Sequence, residues 1–241
     1  MARTRSGALL AELHAHTSWS DGTLSIAGLV DLYGERGFDV LCITDHVCRT
    51  DVIGLDAPRA IVSATFDAYL GEIEREAARA RERYGMVVVP GLELSYNDPD
   101  PRLSAHALAL GLRSFVAVDR GLDEAIETAV LAGAALVAAH PFDIEDASHP
   151  GRLTQRFARD PELSARVHRF ELFNRTQIFS WVAKAGHPCV ASGDFHRVEH
   201  LNGWKSVIPC AKDEEAVVAH LRSRRPVFIT EVGAGTERAA A

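Results

Sequence analysis

The sequence lacks a long hydrophobic run and an excess of basic residues. No eighteen apolar residues follow one another, which excludes a transmembrane helix of ordinary length. The 26 basic and 33 acidic residues give a formal charge of −7 at pH 7. That balance argues against a long phosphate-tracking groove, so we expect no binding of duplex nucleic acid. From the lack of a long apolar run we expect no membrane association. A small anionic substrate is compatible with this charge if bound metals supply the positive potential.

Cysteine is also scarce. Cys42, Cys48, Cys189 and Cys210 include no CxxC pair. The opening residues MARTRSG run into only a short apolar stretch, so we expect no secretory leader. These features favour a reducing, cytoplasmic location.

Histidine, by contrast, is abundant, with eleven residues, several of them beside acidic residues. The chain of 241 residues is 47% hydrophobic and 24% charged, which is enough to bury a full core. It has no internal repeat and no low-complexity linker. We therefore expect a single domain spanning residues 1–241, with a frayed tail from about residue 233.

Short β-type runs alternate with helical patterns along most of the chain. Strands are predicted at residues 9–13, 39–43, 86–94, 106–112, 135–139, 169–173, 188–192, 204–209 and 226–230. Helices are predicted at residues 26–36, 65–84, 122–132, 178–185 and 214–224, with Ser25 and Asp213 as two of the caps. The alternation predicts an α/β fold with a largely parallel sheet, closed or nearly closed into a barrel. In such a barrel the active site lies where the strands end.

Histidines and carboxylates cluster where the predicted strands end. They are His14, His16 and Asp21 after the first strand, His46 after the second, Glu93 at the end of the third, His140 after the fifth, and Asp194 and His196 after the seventh. His14 and His16 are two residues apart, so extended backbone directs both side chains to the same face. The sequence therefore predicts a polar cluster at one end of the barrel.

His106 differs because it begins a predicted strand instead of ending one. The connection of residues 95–105 is too short for a helical crossover between parallel strands. We therefore predict that the third and fourth strands form an antiparallel hairpin. This pairing would return His106 to the end of the sheet where Glu93 lies.

Together these residues predict a metal centre. A single histidine at a strand end is usually solvated or hydrogen-bonded, but nine imidazole and carboxylate groups at one end of a barrel favour metal binding. Donors without thiolate suit zinc, iron or manganese, and the sequence does not separate these metals. Nine candidates exceed what one tetrahedral ion can use, so we expect two or three divalent ions.

The motifs that carry these residues resemble the PHP family, the polymerase and histidinol phosphatase domains. They are HAHTSWSDG, TDH, GLELS, HALALG, AHP and GDFH, and they extend over nearly the whole chain. The resemblance implies a distorted (β/α)7 TIM-like barrel with a trinuclear metal site. It assigns the first metal to His14, His16, Glu93 and Asp194. It assigns the second to Glu93, His106 and His140, and the third to Asp21, His46 and His196.

The usual chemistry of this family is phosphoester hydrolysis. Neighbouring cations lower the pKa of a bridging water, so that hydroxide is available near neutral pH. Arg197 and Arg175 are candidate catalytic residues that could hold a phosphate oxygen, and Lys205 is a weaker candidate. Asp45 is either a partner of a metal-bound histidine or a cap.

We expect a metal-dependent phosphoesterase whose partner is a small phosphorylated substrate. Three alternatives stay open: a 3′-5′ exonuclease or phosphodiesterase acting on short oligonucleotides, an amidohydrolase-type C–N hydrolase, and a non-catalytic metal-stabilised module that binds a partner. The sequence identifies neither the substrate nor the oligomeric state.

Overall fold

The structure, a computed structural model, describes residues 7–51, 59–143 and 154–233. The start of the chain and the predicted frayed tail lie outside these ranges. The strands are β1 Leu9–Glu12, β2 Val40–Ile43, β3 His46–Cys48, β4 Val87–Tyr96, β5 Ala105–Leu110, β6 Ala135–Ala139, β7 Arg169–Asn174, β8 Gln177–Ile178, β9 Cys189–Ser192, β10 Gly203–Ile208 and β11 Phe228–Val232. The helices are α1 Ile26–Glu35, α2 Ser63–Tyr84, α3 Leu122–Leu131, α4 Arg156–Arg159, α5 Pro161–Ser164, α6 Ser180–Lys184 and α7 Glu214–Arg222.

The strands form one curled sheet, which confirms the predicted α/β class and the distorted TIM-like barrel. Its order is β11-β10-β1-β2-β4-β5-β6-β7-β8, and β9 pairs with β7 in parallel. An isolated parallel bridge between Ala15 and Phe195 connects the end of β9 back to the end of β1. All pairs among β1, β2, β4, β6, β7 and β9 are parallel, and β5 is antiparallel to both of its neighbours.

Apolar packing occupies both faces of the sheet. One core cluster lies between the sheet and the helices, and it includes Tyr33, Phe66 and Ile126. A second cluster contains alternating residues of the strands, among them Ala11, Val40 and Val137, together with Val217 and Leu221 of α7. Helix α7 therefore covers the end of the barrel at which the parallel strands begin.

A buried arginine anchors this helix. Arg169, at the start of β7, donates from its guanidinium to the carbonyls of His220, Leu221, Ser223 and Arg225 at distances of 2.7–3.1 Å. These carbonyls belong to the carboxyl end of α7 and the turn after it, where positive charge is favoured.

The predicted elements are present, with differences at their ends. Helix α2 begins at Ser63, and Thr65 is its third residue, where its Oγ1 accepts a hydrogen bond from Val62 N at 3.2 Å. The predicted helix 178–185 is shorter, because Ile178 belongs to β8. The short elements β3, β8, α4 and α5 were not predicted, since two to four residues are too few to show a period.

Candidate metal centre

The nine predicted ligand residues converge on the end of the barrel where the parallel strands finish. The predicted hairpin is confirmed: β4 pairs antiparallel with β5, and Ser95 lies opposite His106. His106 therefore reaches the same end as Glu93, and its Nδ1 lies 2.9 Å from Glu93 Oε1.

The donor atoms form three overlapping groups, each with its atoms within 4.8 Å of one another. The first group is His14, His16 and Asp194; the second is His14, Glu93 and His140; the third is His16, Asp21, His46 and His196. His106 belongs to none of these groups and joins the cluster through Glu93. His16 takes part in the third group, a place that the sequence-based assignment did not give it.

Glu93 lies at the centre of the cluster. Its Oε1 contacts the ring nitrogens of His106 and His140, at 2.9 and 3.1 Å. Its Oε2 lies 3.5 Å from His14 Nε2 and 3.4 Å from His16 Nε2. His46 Nδ1 approaches this oxygen to 2.7 Å, but its hydrogen bond is with Ser95 Oγ, also at 2.7 Å. The buried Oε2 therefore has no hydrogen-bond partner within the described residues.

This donor set fits divalent cations. A buried carboxylate oxygen without a hydrogen-bond partner is costly in a folded protein. The Nε2 atoms of His14 and His16 also face each other, 2.9 Å apart. Nitrogen and carboxylate oxygen donors that point at a common space are the arrangement that zinc, iron and manganese use.

The charges around the cluster shift the pKa values of its members. Burial works to raise the pKa values of Glu93 and Asp194, but the surrounding imidazoles outweigh it and hold both well below the ordinary range. Burial, together with the charge of His46, lowers the pKa of His16 to about 3. The carboxylates are therefore ionised and His16 is neutral at pH 7, which are the states that bind a cation.

Further polar groups fix the orientation of these side chains. Glu171 Oε1 lies 2.9 Å from His14 Nδ1, and Asn97 Oδ1 lies 2.9 Å from His106 Nε2. With their second ring nitrogens held in this way, His14 and His106 have defined orientations. Asp45 has a different role, because its carboxylate accepts from Thr17 and Ser20 in the loop that leads to Asp21.

Arg175 and Arg197 differ in the contacts and the exposure of their guanidinium groups. Arg175 donates to the carbonyl of Asp194 from Nε at 3.0 Å and from Nη2 at 2.8 Å, and its Nη2 lies 3.0 Å from Asp194 Oδ2. The Arg197 side chain is 65% exposed, and its one ion-pair contact within the described ranges is a loose one, at 3.8 Å, with Glu199. Arg175 is thus engaged with a candidate ligand, whereas the Arg197 guanidinium is exposed to solvent.

The sequence-based suggestion that Lys205 could hold a phosphate oxygen was wrong. Its ammonium is fully buried and lies 2.8 Å from Glu12 Oε2. The cross-strand position explains this pairing, because β1 and β10 are antiparallel and Ala11 pairs with Ser206, which sets Lys205 opposite Glu12.

Glu12 is a residue that the sequence analysis missed. Its Oε1 accepts backbone hydrogen bonds from Leu13, His14 and Gly193, at 3.0, 3.2 and 2.8 Å. The Glu12 carboxylate therefore connects the backbone at His14 to the backbone at Gly193, which directly precedes Asp194. A carboxylate inside the apolar run of residues 9–13 was the signal that could have found it.

A cavity of about 320 Å³ adjoins the cluster. Its wall is formed by His140, Phe142, Asn174, Arg175, Thr176, Gln177 and Asp194. This volume is at the lower end of the range for small-molecule sites.

Comparison with known proteins identifies the family. The family model described as PHP domain matches residues 12–149, which contain seven of the nine candidate ligands. The chain belongs to the PHP domain family. This PHP chain is similar in fold to a two-domain protein from Bacteroides vulgatus that contains a predicted PHP-like metal-dependent phosphoesterase. That likeness has a TM-score of 0.65 and 17% identity, and it covers 96% of this chain and 67% of the other.

Two further relatives differ in their described activities. An amidohydrolase from Chromobacterium violaceum, solved with bound sulfate, is similar in fold, with a TM-score of 0.53 and 16% identity over 77% of this chain and 87% of the other. The DNA polymerase/3′-5′ exonuclease PolX of Bacillus subtilis is 27% identical over 220 residues, which is 86% of this chain. The chain spans 37% of the length of that curated relative.

No described helix of this PHP protein is both long enough and apolar enough to cross a membrane.

Proposed function

We propose that this PHP protein is a metal-dependent phosphoesterase that hydrolyses a small phosphate ester. One observation carries the proposal: nine imidazole and carboxylate side chains cluster at one end of the barrel, and Glu93 among them has a buried oxygen with no hydrogen-bond partner among the described residues. Membership of the PHP domain family supports the same activity.

Two or three divalent ions (manganese, zinc or iron) would be held by the three overlapping groups, with His106 completing the coordination through its position beside Glu93. Bound ions of this kind polarise a phosphoryl group and make hydroxide available near neutral pH. Glu171 keeps the His14 ring oriented, and Arg175 keeps Asp194 in place. Arg197 would bind a phosphate oxygen of the substrate.

The proposed partner is a small phosphorylated molecule. A cavity of about 320 Å³ beside His140 and Asp194 suits such a ligand better than a long polymer. The four cysteines are free thiols, and we propose on that ground a reducing, cytoplasmic location.

A second candidate function is exonuclease action on short oligonucleotides. The relative PolX carries the description 3′-5′ exonuclease and is 27% identical over 220 residues. Such an activity needs only one or two phosphates beside the cluster, so the net charge of −7 does not oppose it.

The test is hydrolysis by the full chain reconstituted with manganese, zinc or iron. We expect turnover of p-nitrophenyl phosphate and a fall of at least about a thousandfold in Asp194→Asn, because several kcal/mol of metal catalysis are lost. Asp67→Asn, an exposed carboxylate on α2, is the matched control and should keep full activity.

Substrate choice separates the two candidates. Faster cleavage of bis-p-nitrophenyl phosphate and of a labelled single-stranded oligonucleotide would favour the exonuclease. Activity that survives in Asp194→Asn would contradict both proposals.

A further inference from the structure

A second cavity, of about 630 Å³, lies on the side of the barrel where β7 and β9 begin. His168 directly precedes β7 and His187 shortly precedes β9, whereas the candidate metal ligands follow the ends of the parallel strands. We call this cavity the basal pocket and define it by His168, Phe170, Trp181, His187, Arg222 and Arg224. None of these residues belongs to the candidate metal centre.

One wall of the basal pocket is aromatic. The His187 ring stacks on Phe170 with centroids 4.1 Å apart and an interplanar angle of 20°. Trp181 meets the His187 ring edge-on at 5.6 Å, and its Nε1 donates to Pro141 O at 2.7 Å. The three rings hold one another in place, so they form a preorganised surface for a flat ligand ring.

The rim of the basal pocket is cationic. Arg222 and Arg224 are exposed, and neither has an ion-pair partner among the described residues. No described aspartate or glutamate lines the cavity. Arg166, which also lines it, has a loose contact, at 3.7 Å, with an oxygen of Asp123. In a chain with a net charge of −7, this concentration of unpaired positive charge favours an anionic ligand.

The positive charge of the rim also affects the pKa values of His168 and His187. Burial, followed by the charge of Arg222, lowers the pKa of His168, and burial with the charge of Arg224 lowers the pKa of His187. His168 Nδ1 accepts from the backbone N–H of Leu136 at 2.9 Å, so the proton of the neutral ring lies on Nε2. His168 thus has a hydrogen-bond donor for an anion without carrying a charge.

We propose that the basal pocket binds a small organic anion of the nucleoside monophosphate class. The planar base packs against the Trp181 and His187 wall, and the phosphate lies between Arg222 and Arg224. The volume of 630 Å³ is within the range of small-molecule sites. This ligand site is separate from the proposed phosphoesterase centre and does not depend on it.

The test uses the full metal-loaded chain and a methylenephosphonate analogue of adenosine monophosphate, which has no ester bond to cleave. Binding is followed by titration calorimetry and by the fluorescence change of Trp181, with Trp181→Phe identifying that signal. Arg222→Ala/Arg224→Ala should weaken the binding that changes Trp181 fluorescence at least tenfold, because two charge-assisted contacts are lost.

Two further variants separate charge from shape. Arg75→Ala/Arg81→Ala removes the same charge from exposed positions on α2 and should bind as the parent does. Ala165→Phe adds a ring at an exposed alanine that lines the basal pocket and should abolish binding there without changing charge.

Three results would overturn the proposal. Unchanged affinity in both pocket variants would exclude the site. Loss of all analogue binding after metal removal would assign the analogue to the metal centre alone. A change in sedimentation of Arg222→Ala/Arg224→Ala, without analogue binding to the parent, would identify the face as a contact between copies of the chain.

Discussion

At the scale of single residues, the cluster is held by strained backbone. Apart from glycine, His140, Arg175 and Asp194 are the residues with positive φ in the described chain, at 29°, 53° and 42°. Such conformations cost of order 1–3 kcal/mol each and persist where the surroundings determine them. All three residues line the cavity beside the metal centre. The backbone strain is therefore concentrated where the candidate ligands converge.

Substitutions of Arg175 and Arg197 should affect different properties, metal binding for the first and KM for the second. Arg175→Met should weaken metal binding about tenfold to a hundredfold, because Asp194 loses the donors that hold it. Arg197→Met should leave metal binding unchanged and raise KM about tenfold, because its guanidinium is exposed and is proposed to bind a phosphate oxygen of the substrate. Metal titration and steady-state kinetics measure the two effects, and the opposite pattern would contradict both assignments.

The sequence predicted which residues meet in the cluster. It did not predict the buried ion pair beside them or the backbone conformation that orients Asp194. His14, Glu93 and His106 could be placed at one rim because strand ends and a short connection fix their position. Lys205 and Glu12 could not be paired, since the pairing depends on the antiparallel register of β1 and β10. Positive φ at Asp194 could not be predicted, because aspartate adopts this conformation more often than most residues but does not require it.

At the scale of elements, the buried pair of Glu12 and Lys205 connects β1 to β10. Tyr33 of α1 donates to the same Glu12 oxygen that Lys205 contacts, at 3.0 Å. A Cβ at Gly193 would overlap both Lys205 Nζ and Glu12 Oε2, so a side chain there would displace the buried pair. The network fixes where β1 and the end of β9 approach each other.

Removing one partner of this pair should be strongly destabilising. Lys205→Met should lower the free energy of unfolding by about 3–5 kcal/mol, because Glu12 becomes an uncompensated buried charge. The double variant Glu12→Gln/Lys205→Met should recover most of that loss, since the glutamine side chain is neutral and keeps an acceptor for the three backbone donors. Urea unfolding measures both changes.

The matched control is Lys212→Met, which removes a partly exposed ion pair with Asp39. It should cost no more than about 1 kcal/mol. Equal costs for Lys205→Met and Lys212→Met would contradict the role assigned to the buried pair.

The contact between α1 and α2 has a pH dependence. Hydrogen bonds from Arg79 and Tyr84, at 2.6 and 2.7 Å, lower the pKa of Asp31. The stabilisation is present above the unfolded pKa, near 3.9, and is lost as the pH falls through the lower folded pKa. Asp31→Asn should therefore cost a few tenths of a kcal/mol near pH 7, after solvent screening, and progressively less below about pH 4.

Urea unfolding of parent and variant between pH 7 and pH 3 checks this dependence, with Asp67→Asn as the exposed control. A difference that grows on acidification would contradict the sign. Helix α1 was predictable from its period and its Ser25 cap and α2 from its period, whereas this contact between them was not.

At the scale of the whole molecule, buried ionisable side chains are concentrated at the end of the barrel that holds the candidate metal centre. Glu93 and His14 are fully buried, and Asp194 is nearly so. Cations bound there stabilise only the folded state, so their removal should lower the melting temperature. For metal at a hundred times its dissociation constant the loss is about 2.7 kcal/mol, or roughly 5–10 °C for a chain of this size.

Thermal unfolding before and after chelation measures this shift. Glu93→Gln, which alters the central carboxylate, should show a smaller difference between the two conditions. Identical melting temperatures for the parent with and without chelator would contradict a stabilising metal centre.

The barrel itself was predictable from the alternation of strand and helix patterns, because each unit must bury an apolar face against the next. The covering of its far end by α7 was not predictable. That arrangement depends on Arg169, a buried cation whose partners lie more than fifty residues away along the chain.

The most direct test of the metal centre is a crystal structure of the protein reconstituted with manganese, zinc or iron, with anomalous diffraction recorded at the absorption edge of the metal. We expect two or three anomalous peaks among the nine clustered side chains, with donor atoms at about 2.0–2.2 Å. The absence of peaks there, or peaks only elsewhere on the molecule, would contradict it.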